Sequence, residues 1–146
     1  MATTITRTDL RAIVDRFSLC QRRRDPTALA EFHAIDGTAE SPMFGTLRGR
    51  DAIEEAYASF YASFPDATAD IDSVVIEPPH LVIFSTVTAT HVNEFFGLPG
   101  TNRRIDFRNA RWWQMDGDLI KHERRIYDFT GILVQVGVLR AKPAKP

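Results

Sequence analysis

The segment from Ala110 to Gly137, ARWWQMDGDLIKHERRIYDFTGILVQVG, decides the fold of this chain. Two alternating segments meet at Asp116-Gly117. An Asp-Gly pair in that position predicts a β-hairpin with a type I′ turn, because that turn needs a positive φ at both central residues. The apolar segment that follows Asp128 predicts a short terminal helix. The sequence therefore predicts two long antiparallel strands followed by a helical turn.

Strand alternation assigns each side chain of this hairpin to one of two faces. On the second strand, Arg124 and Asp128 share a face with isoleucines, whereas the opposite face carries mainly charged side chains. We expect the first face to line the interior and the second to face solvent. By the same rule only one of Trp112 and Trp113 points inward, and we expect it to be Trp112. An unpaired carboxylate is costly to bury, so Asp128 needs a partner or a chemical role.

The composition is that of one soluble globular domain. The chain has 146 residues, of which 44% are hydrophobic and 25% charged, and its net charge is −1. We expect no nucleic-acid partner, because such proteins normally carry a basic excess. We also expect no membrane partner, since no apolar segment is long enough to span a bilayer and the N-terminus lacks the apolar core of a signal peptide. The single cysteine, Cys20, favours a reducing, cytoplasmic location. Residues 141–146, AKPAKP, are predicted to be a disordered tail.

The rest of the pattern predicts helices first and strands afterwards. Apolar residues recur at helical spacing in three segments, which begin after Thr8, at Asp25-Pro26 and after Gly49. A small hairpin is predicted over residues 39–47, and long strands over 69–77, 81–93 and 104–115. This order predicts an α+β fold in which helices cover one face of a curved antiparallel sheet. Such a cone encloses a pocket of the kind that binds small molecules.

Three segments resemble the SnoaL-like polyketide cyclases. They are SPMFGTLRGRDAIEEAYASFYASFPD (41–66), THVNEFFGLPGTNRRIDF (90–107) and DGDLIKHERRIYDFTGILVQVG (116–137). These cyclases belong to the superfamily of ketosteroid isomerase, limonene epoxide hydrolase, scytalone dehydratase and nuclear transport factor two. The resemblance extends over almost the whole chain and implies one barrel-like domain over residues 5–140, often dimeric. It also implies an apolar or polycyclic small-molecule ligand and no metal or organic cofactor.

The resemblance implies a catalytic role for Asp128, because family cyclases use an aspartate near the end of the last strand as general acid/base of an aldol closure. The residues support this role independently, since burial among apolar neighbours raises the pKa of a carboxyl towards the operating pH. We predict His91 and Gln114 as the catalytic partners that steady the enolate. The family commonly has a histidine where Gln114 stands. The residues predicted to bind substrate are Trp112, Arg124, Tyr57, Tyr61, Phe17 and Phe96.

Simpler interpretations of the same residues stay open. Asp128 either pairs with Arg124 or caps the helix that begins at Thr130-Gly131, and in the first case it stays ionised and is a poor base. Arg104 and Asp106 could instead form part of an epoxide hydrolase that activates water with carboxylates. A third alternative is a non-catalytic binding domain. The four histidines have no metal-ligand spacing, so no metal site is predicted.

The outer face of the four-strand sheet is predicted to be the interface of a homodimer. Trp113, Arg111 and Tyr127 are the candidate contact residues, because an exposed tryptophan on a flat sheet usually marks a protein contact.

Overall fold

Six strands form one curved sheet in the computed structural model, which describes residues 4–140. The elements in chain order are α1 (Arg7–Arg23), α2 (Pro26–Ala30), β1 (His33–Ser41), β2 (Gly45–Arg48), α3 (Arg50–Ser63), β3 (Thr68–Glu77), β4 (His80–Thr90), β5 (Arg104–Asp116), β6 (Leu119–Tyr127) and α4 (Phe129–Val136). The sheet order is β2-β1-β6-β5-β4-β3, and only β1 and β6 run parallel to each other. The predicted α+β fold is confirmed. The predicted tail, residues 141–146, lies outside the described residues.

The helix ends follow from local hydrogen bonding. Asp25 caps α2 by accepting a hydrogen bond from the backbone N–H of Ala28, and Pro26 occupies the first helical position, as predicted. The cap of α1 is Thr6 and not Thr8. Thr6 and Asp9 form a reciprocal capping box, in which each side chain accepts a hydrogen bond from the other residue's backbone N–H. The helix therefore begins slightly earlier than its apolar pattern indicates.

The hairpin between β5 and β6 is present, but its turn differs from the prediction by one residue. Asp116 pairs with Leu119, so Gly117 and Asp118 are the two central residues. Among the described residues on this turn only Gly117 has a positive φ, at 59°. A glycine with positive φ at the first central position is the pattern of a type II′ turn, so the predicted type I′ turn is wrong.

A β-bulge in β6 reverses the predicted faces of the hairpin. Met115 pairs with Ile120 and Gln114 pairs with His122, which leaves Lys121 without a partner on β5. An extra residue on one strand shifts every side chain beyond it to the other face of the sheet. Ile120 therefore points inward as predicted, whereas the residues that follow Lys121 have the opposite orientation to the one predicted.

The tryptophans of β5 also have the opposite orientation to the one predicted, although β5 itself alternates without interruption. Trp113 is completely buried inside the molecule, and its ring meets that of Phe17 edge to face at a centroid distance of 4.9 Å. Trp112 lies half-buried on the outer face, where it stacks on His80. The prediction that Trp112 points inward is therefore wrong.

Two apolar clusters form the core. The larger packs α1 and α3 against the inner face of the sheet and includes Phe17, Ile53 and Trp113. The smaller joins α4 to the loop between β4 and β5, around Phe64 and Ile132. Each fully buried side chain of this size contributes about 1.5–3 kcal/mol to folding. Of the helices described between residues 4 and 140, none has the length and apolar character needed to cross a lipid bilayer.

The residues predicted at the dimer interface are wrong, because all three lie on the inner side of the sheet. Arg111 and Trp113 are buried on the inner face. The hydroxyl of Tyr127 is bonded to Ser41 at 2.9 Å and lies on the inner side as well. The outer face instead presents half-buried Trp112 and the exposed side chains of Phe84 and Ile126.

Candidate active site

A cavity opens between α3 and the inner face of β5 and β6. Its empty volume, including the mouth that opens to solvent, is about 610 Å³, which is an upper limit for a ligand held there. Part of its wall is aromatic, from Phe44, Phe60 and Phe107. The polar side chains that line it are Gln21, Tyr57, Tyr61, Thr68, Asn109, Arg111, Arg125 and Tyr127. The cavity thus combines an aromatic wall with a concentrated group of hydrogen-bond donors.

Glu123 holds the arginines of this cavity in place. It is completely buried on β6 and accepts a hydrogen bond from Arg111 Nη1 at 3.1 Å and from Arg125 Nε at 2.6 Å. A third donor, the indole N–H of Trp113, reaches it at 2.5 Å. Burial alone would raise the pKa of Glu123, but the adjacent Arg125 and Arg111 outweigh burial and hold that pKa well below its usual range. Glu123 is therefore ionised at neutral pH. Its low pKa makes it too weak a base to take a proton from a substrate there.

Aromatic rings fix the two guanidinium groups. The Arg125 Cζ lies 4.8 Å from the centre of the Tyr57 ring, and the Arg111 Cζ lies 5.4 Å from that of Phe17. Arg111 Nη1 also donates to the Tyr57 hydroxyl at 3.2 Å. Stacking and hydrogen bonding of this kind hold a guanidinium plane in one orientation. The cations at the cavity floor are therefore preorganised.

Three buried polar atoms of the cavity residues have no hydrogen-bond partner. They are Nε of Arg111, Nη2 of Arg125 and Oδ1 of Asn109. Buried polar atoms are almost always paired, so each unpaired atom calls for an explanation. All three belong to side chains that line the cavity, so unused hydrogen-bonding capacity lies beside it.

His33 lies beneath this group at the start of β1. Its side chain is completely buried and neither ring nitrogen has a hydrogen-bond partner. Burial is the main cause that lowers its pKa to about 4; the nearby Glu123 opposes this effect, and the nearby arginines add to it. His33 is therefore neutral at pH 7 and adds no charge to the cavity.

Tyr61 is a largely buried tyrosine of the cavity wall. Burial is the main cause that raises the pKa of its hydroxyl to about 12. Tyr61 therefore keeps its proton at neutral pH and can donate a hydrogen bond into the cavity.

The predicted catalytic residues do not line this cavity. Asp128 is exposed and caps α4, where its Oδ1 accepts a hydrogen bond from Gly131 N at 2.8 Å. His91 is buried between Phe64 and Phe95, and its Nδ1 is bonded to Thr101 Oγ1 at 2.9 Å. Gln114 lies on the outer face, in register between His80 and His122. The expectation that Asp128 points to the interior is wrong. Its catalytic role stays a prediction that this geometry does not support.

The predicted substrate-binding residues are divided between inside and outside. Tyr57 and Tyr61 line the cavity. Phe17 belongs to the core beneath the arginines, and Phe96 is 63% exposed in the loop between β4 and β5, with its ring 6.0 Å from that of Phe44. The remaining two, Trp112 and Arg124, lie together on the outer face, where Arg124 pairs with Glu40 at 3.0 Å. The expected pairing of Arg124 with Asp128 is therefore not found.

The carboxylate–arginine set considered for an epoxide hydrolase is also outside the cavity. Asp106 is exposed and pairs with Arg108 at 2.9 Å. Arg104 pairs with Asp66 at 3.5 Å, and both side chains are exposed. The possibility that Asp106 shares a cavity with Asp128 is wrong. Within residues 4–140, no group of three His, Cys, Asp or Glu side chains is arranged to hold a metal ion.

Sequence analysis missed the residues that form the site. Glu123 and Arg125 were expected on the solvent face because the alternation on β6 is shifted by the bulge after Ile120. Arg111 was expected on the outer face because the even-numbered residues of β5 were predicted to point inward, whereas the odd-numbered ones do. One signal was available: an E-x-R pair on a strand opposite R-x-W places complementary charges on one face. In the structure this face is the buried one.

Comparisons with known proteins agree with this architecture. The family model for SnoaL-like polyketide cyclases matches residues 11–136. No curated protein sequence matches the chain.

Among solved structures, the chain is similar to AclR, a proposed hydroxylase from Streptomyces galilaeus, with a TM-score of 0.83, 19% identity and coverage of 95% of this chain and 87% of that one. It is similar to IdmH, a proposed polyketide cyclase from Streptomyces antibioticus, with a TM-score of 0.74, 23% identity and coverage of 87% and 97%. It is also similar to a proposed SnoaL-like polyketide cyclase from Jannaschia sp. CCS1, with a TM-score of 0.80, 13% identity and coverage of 98% and 99%. At these identities the similarity concerns the fold alone.

Proposed function

Because the chain belongs to the SnoaL-like polyketide cyclase family, we propose that its cavity cyclises or isomerises a polyketide-like ketone through an enolate. One observation carries this proposal. Arg111 and Arg125 line the cavity, and each has a buried nitrogen without a hydrogen-bond partner. Preorganised donors aimed at a developing negative charge are usually the largest contribution to catalysis of this type.

The arginines act on the enolate oxygen. A C–H bond between two carbonyls loses its proton, and the electron pair moves onto oxygen, where the guanidinium groups stabilise it. In a cyclisation the enolate carbon then forms a C–C bond to a second carbonyl carbon, whose oxygen becomes an alkoxide and takes up a proton. No oxidant or reductant is needed. Tyr61, which stays protonated, is placed to supply a hydrogen bond or that proton.

The acceptor of the first proton is water that reaches the cavity through its mouth. None of the described cavity-lining residues is an Asp, Glu or His. Because a carbon acid between two carbonyls is already acidic, lowering the energy of its enolate by two cations assists even a weak base. The competing proposal is that Asp128 is the general acid/base. The turnover of Asp128 and Arg125 variants distinguishes the two proposals.

A non-catalytic binding domain is the second candidate function. The same lack of an Asp, Glu or His among the described lining residues favours it, because a binding site needs no base. In that case the arginines would hold a ligand without changing it.

We also propose that the protein is a homodimer, whose contact surface contains other residues than those predicted from the sequence. Trp112, Phe84 and Ile126 form an apolar patch on the outer sheet face, around the register row Phe84–Ala110–Ile126. We expect light scattering to give twice the chain mass, and Ile126→Asp to shift it to the monomer mass. A monomer at all practical concentrations would remove the dimer from the proposal.

Turnover of a panel of polyketide-like ketones tests the function. With a substrate found, Arg125→Gln should lower kcat/KM about 10²–10³-fold, as loss of an oxyanion donor does. Arg124→Gln removes the same charge from the outer face of the same strand and should leave turnover unchanged. Asp128→Asn should keep most of the activity. Loss of turnover in Asp128→Asn with retention in Arg125→Gln would contradict the arginine mechanism, and binding without turnover of any ketone would favour the binding domain.

A further inference from the structure

We infer that the cavity takes its ligand as a planar anion with two coplanar oxygens, which is the shared chemistry of a carboxylate and a β-dicarbonyl enolate. The inference rests on the proposed function in using the same cavity, and it names the substrate class for that site. The inference differs from the proposed function in one respect. The ligand already carries its negative charge when it binds, whereas in the proposed reaction the charge develops after binding.

The charges at the cavity floor do not balance. Arg111 and Arg125 are each at most 10% exposed at the side chain, and the single carboxylate between them is Glu123. His33 is neutral at pH 7, and no Asp or Glu is among the described residues that line the cavity. One positive charge is therefore left without a counter-ion in a poorly solvated place. A ligand of charge −1 would make the site neutral, whereas a neutral ligand would bury the excess charge further.

Glu123 already accepts three hydrogen bonds. Its Oε2 accepts from Arg111 and Trp113, and its Oε1 accepts from Arg125. Arg125 uses its Nε for this bond and Arg111 uses its Nη1, which leaves Arg125 Nη2 and Arg111 Nε without an acceptor among the described residues. In the inferred complex, the oxygens of the ligand accept from these nitrogens.

Each of the two arginines offers one unpaired nitrogen, and two donors match a ligand with two oxygens better than a ligand with one. A guanidinium group presents its N–H bonds in one plane, and this fork matches the planar oxygen pair of a carboxylate better than it matches a single carbonyl oxygen. Stacking on Tyr57 fixes the Arg125 plane before any ligand arrives. The unpaired Oδ1 of Asn109 adds an acceptor for a hydroxyl or enol O–H on the same ligand.

The remaining walls suit an unsaturated, flat body behind the anion. Phe44, Phe60 and Phe107 line the cavity, and Phe96 lies against Phe44 on the loop between β4 and β5. Arg24 donates to the carbonyl of Ala67, a lining residue, and so holds a further positive charge next to the cavity wall. An aryl carboxylate or an aryl β-dicarbonyl combines both requirements.

Calorimetric titration of the full chain at pH 7 tests the inference without any turnover. Benzoate and benzamide have the same shape and differ in charge, so we expect benzoate to bind at least tenfold more tightly. The second arm uses 1-phenylbutane-1,3-dione, whose enolate absorbs at longer wavelength than its neutral form. We expect the enolate band to appear at pH 7 in the presence of the protein. Equal affinity for benzoate and benzamide, together with no enolate band, would overturn the inference.

The two arms separate the two sources of the anion. Binding of benzoate alone assigns the site to a carboxylate, and the enolate band alone assigns it to a β-dicarbonyl; either result supports the inference. Arg125→Met should weaken binding of the anion at least tenfold and leave benzamide within threefold, whereas the matched control Arg124→Met should change neither. Unchanged anion binding in a folded Arg125→Met variant would refute the assignment. If that variant does not fold, Arg125→Lys serves, since it keeps the charge and loses the fork and should still weaken benzoate binding severalfold.

Failure of this inference differs from failure of the proposed function. A protein that prefers benzoate but turns over no ketone keeps the inference and loses the enzymatic proposal. A protein that cyclises neutral ketones and does not distinguish benzoate from benzamide keeps the enzymatic proposal and loses the inference.

Discussion

The buried His33 makes the stability of this protein depend on pH below neutrality. Burial lowers the pKa of His33 from 6.5 to about 4. A difference of one in pKa corresponds to 1.36 kcal/mol, so this lowering from 6.5 to about 4 makes protonation of His33 about 3.4 kcal/mol less favourable in the folded protein than in the unfolded chain. Between pH 6.5 and 4 the unfolded chain binds a proton that the folded protein does not. The free energy of unfolding therefore falls as the pH falls, by about 2 kcal/mol between pH 6.5 and pH 5.

Urea unfolding at pH 7.5, 6 and 5 measures this loss. In His33→Leu the pH-dependent loss should be smaller by about 2 kcal/mol at pH 5, because no group remains at this position to take up a proton. At pH 7.5 the variant should be as stable as the natural protein or more so, since the imidazole makes no side-chain hydrogen bond there. His80→Leu removes a half-buried histidine from the outer face and is the control. Equal pH dependence in His33→Leu and the natural protein would refute the reasoning.

Three further predictions concern stability. Glu123→Gln should lower the free energy of unfolding at pH 7 by about 3–5 kcal/mol in urea titrations, because it leaves two buried arginines without a counter-ion. Asp128→Ala should cost about 0.5–2 kcal/mol and Asp128→Asn much less, since asparagine also caps a helix; thermal unfolding of both variants checks this. Gly100→Ala should cost about 1–3 kcal/mol by the same measurement, because a Cβ at Gly100 would overlap the backbone carbonyl of Val92, which cannot move aside.

Much of the architecture could be predicted because it depends on local signals. Asp25-Pro26 starts a helix for reasons contained in those two residues, and Gly49 begins α3 where the pattern indicates. The hairpin at Gly117 is present because few residues other than glycine adopt the backbone of such a turn. Errors of one or two residues, as at Thr6, came from hydrogen bonds that reach beyond the apolar pattern.

The site could not be predicted from alternation, because the faces of a strand depend on its register. Nothing in the amino-acid sequence around Lys121 requires a bulge. The bulge nevertheless decides which of Arg124 and Arg125 points inward. For Asp128 only the predicted inward orientation is wrong, and its catalytic role stays a prediction. Capping of the following helix had been considered as an alternative to catalysis, and the hydrogen bond from Gly131 N to its Oδ1 supports the capping role. The family resemblance gave the catalytic interpretation more weight than the local chemistry did.

The bulge at Lys121 explains how a cavity can contain two buried arginines at an acceptable cost. Beyond it, Glu123 and Arg125 point inward together and meet Arg111 and Trp113 across the strand pair. Without the extra residue, Arg124 and Ile126 would point inward, and Arg111 would face the interior with no carboxylate opposite it. Burying that lone cation would cost several kcal/mol. The insertion therefore brings in the carboxylate that makes burial tolerable and a second guanidinium that restores a net positive charge. The same residue that makes the predicted faces of β6 wrong thus gives the cavity floor the net positive charge on which the proposed binding of an anion rests.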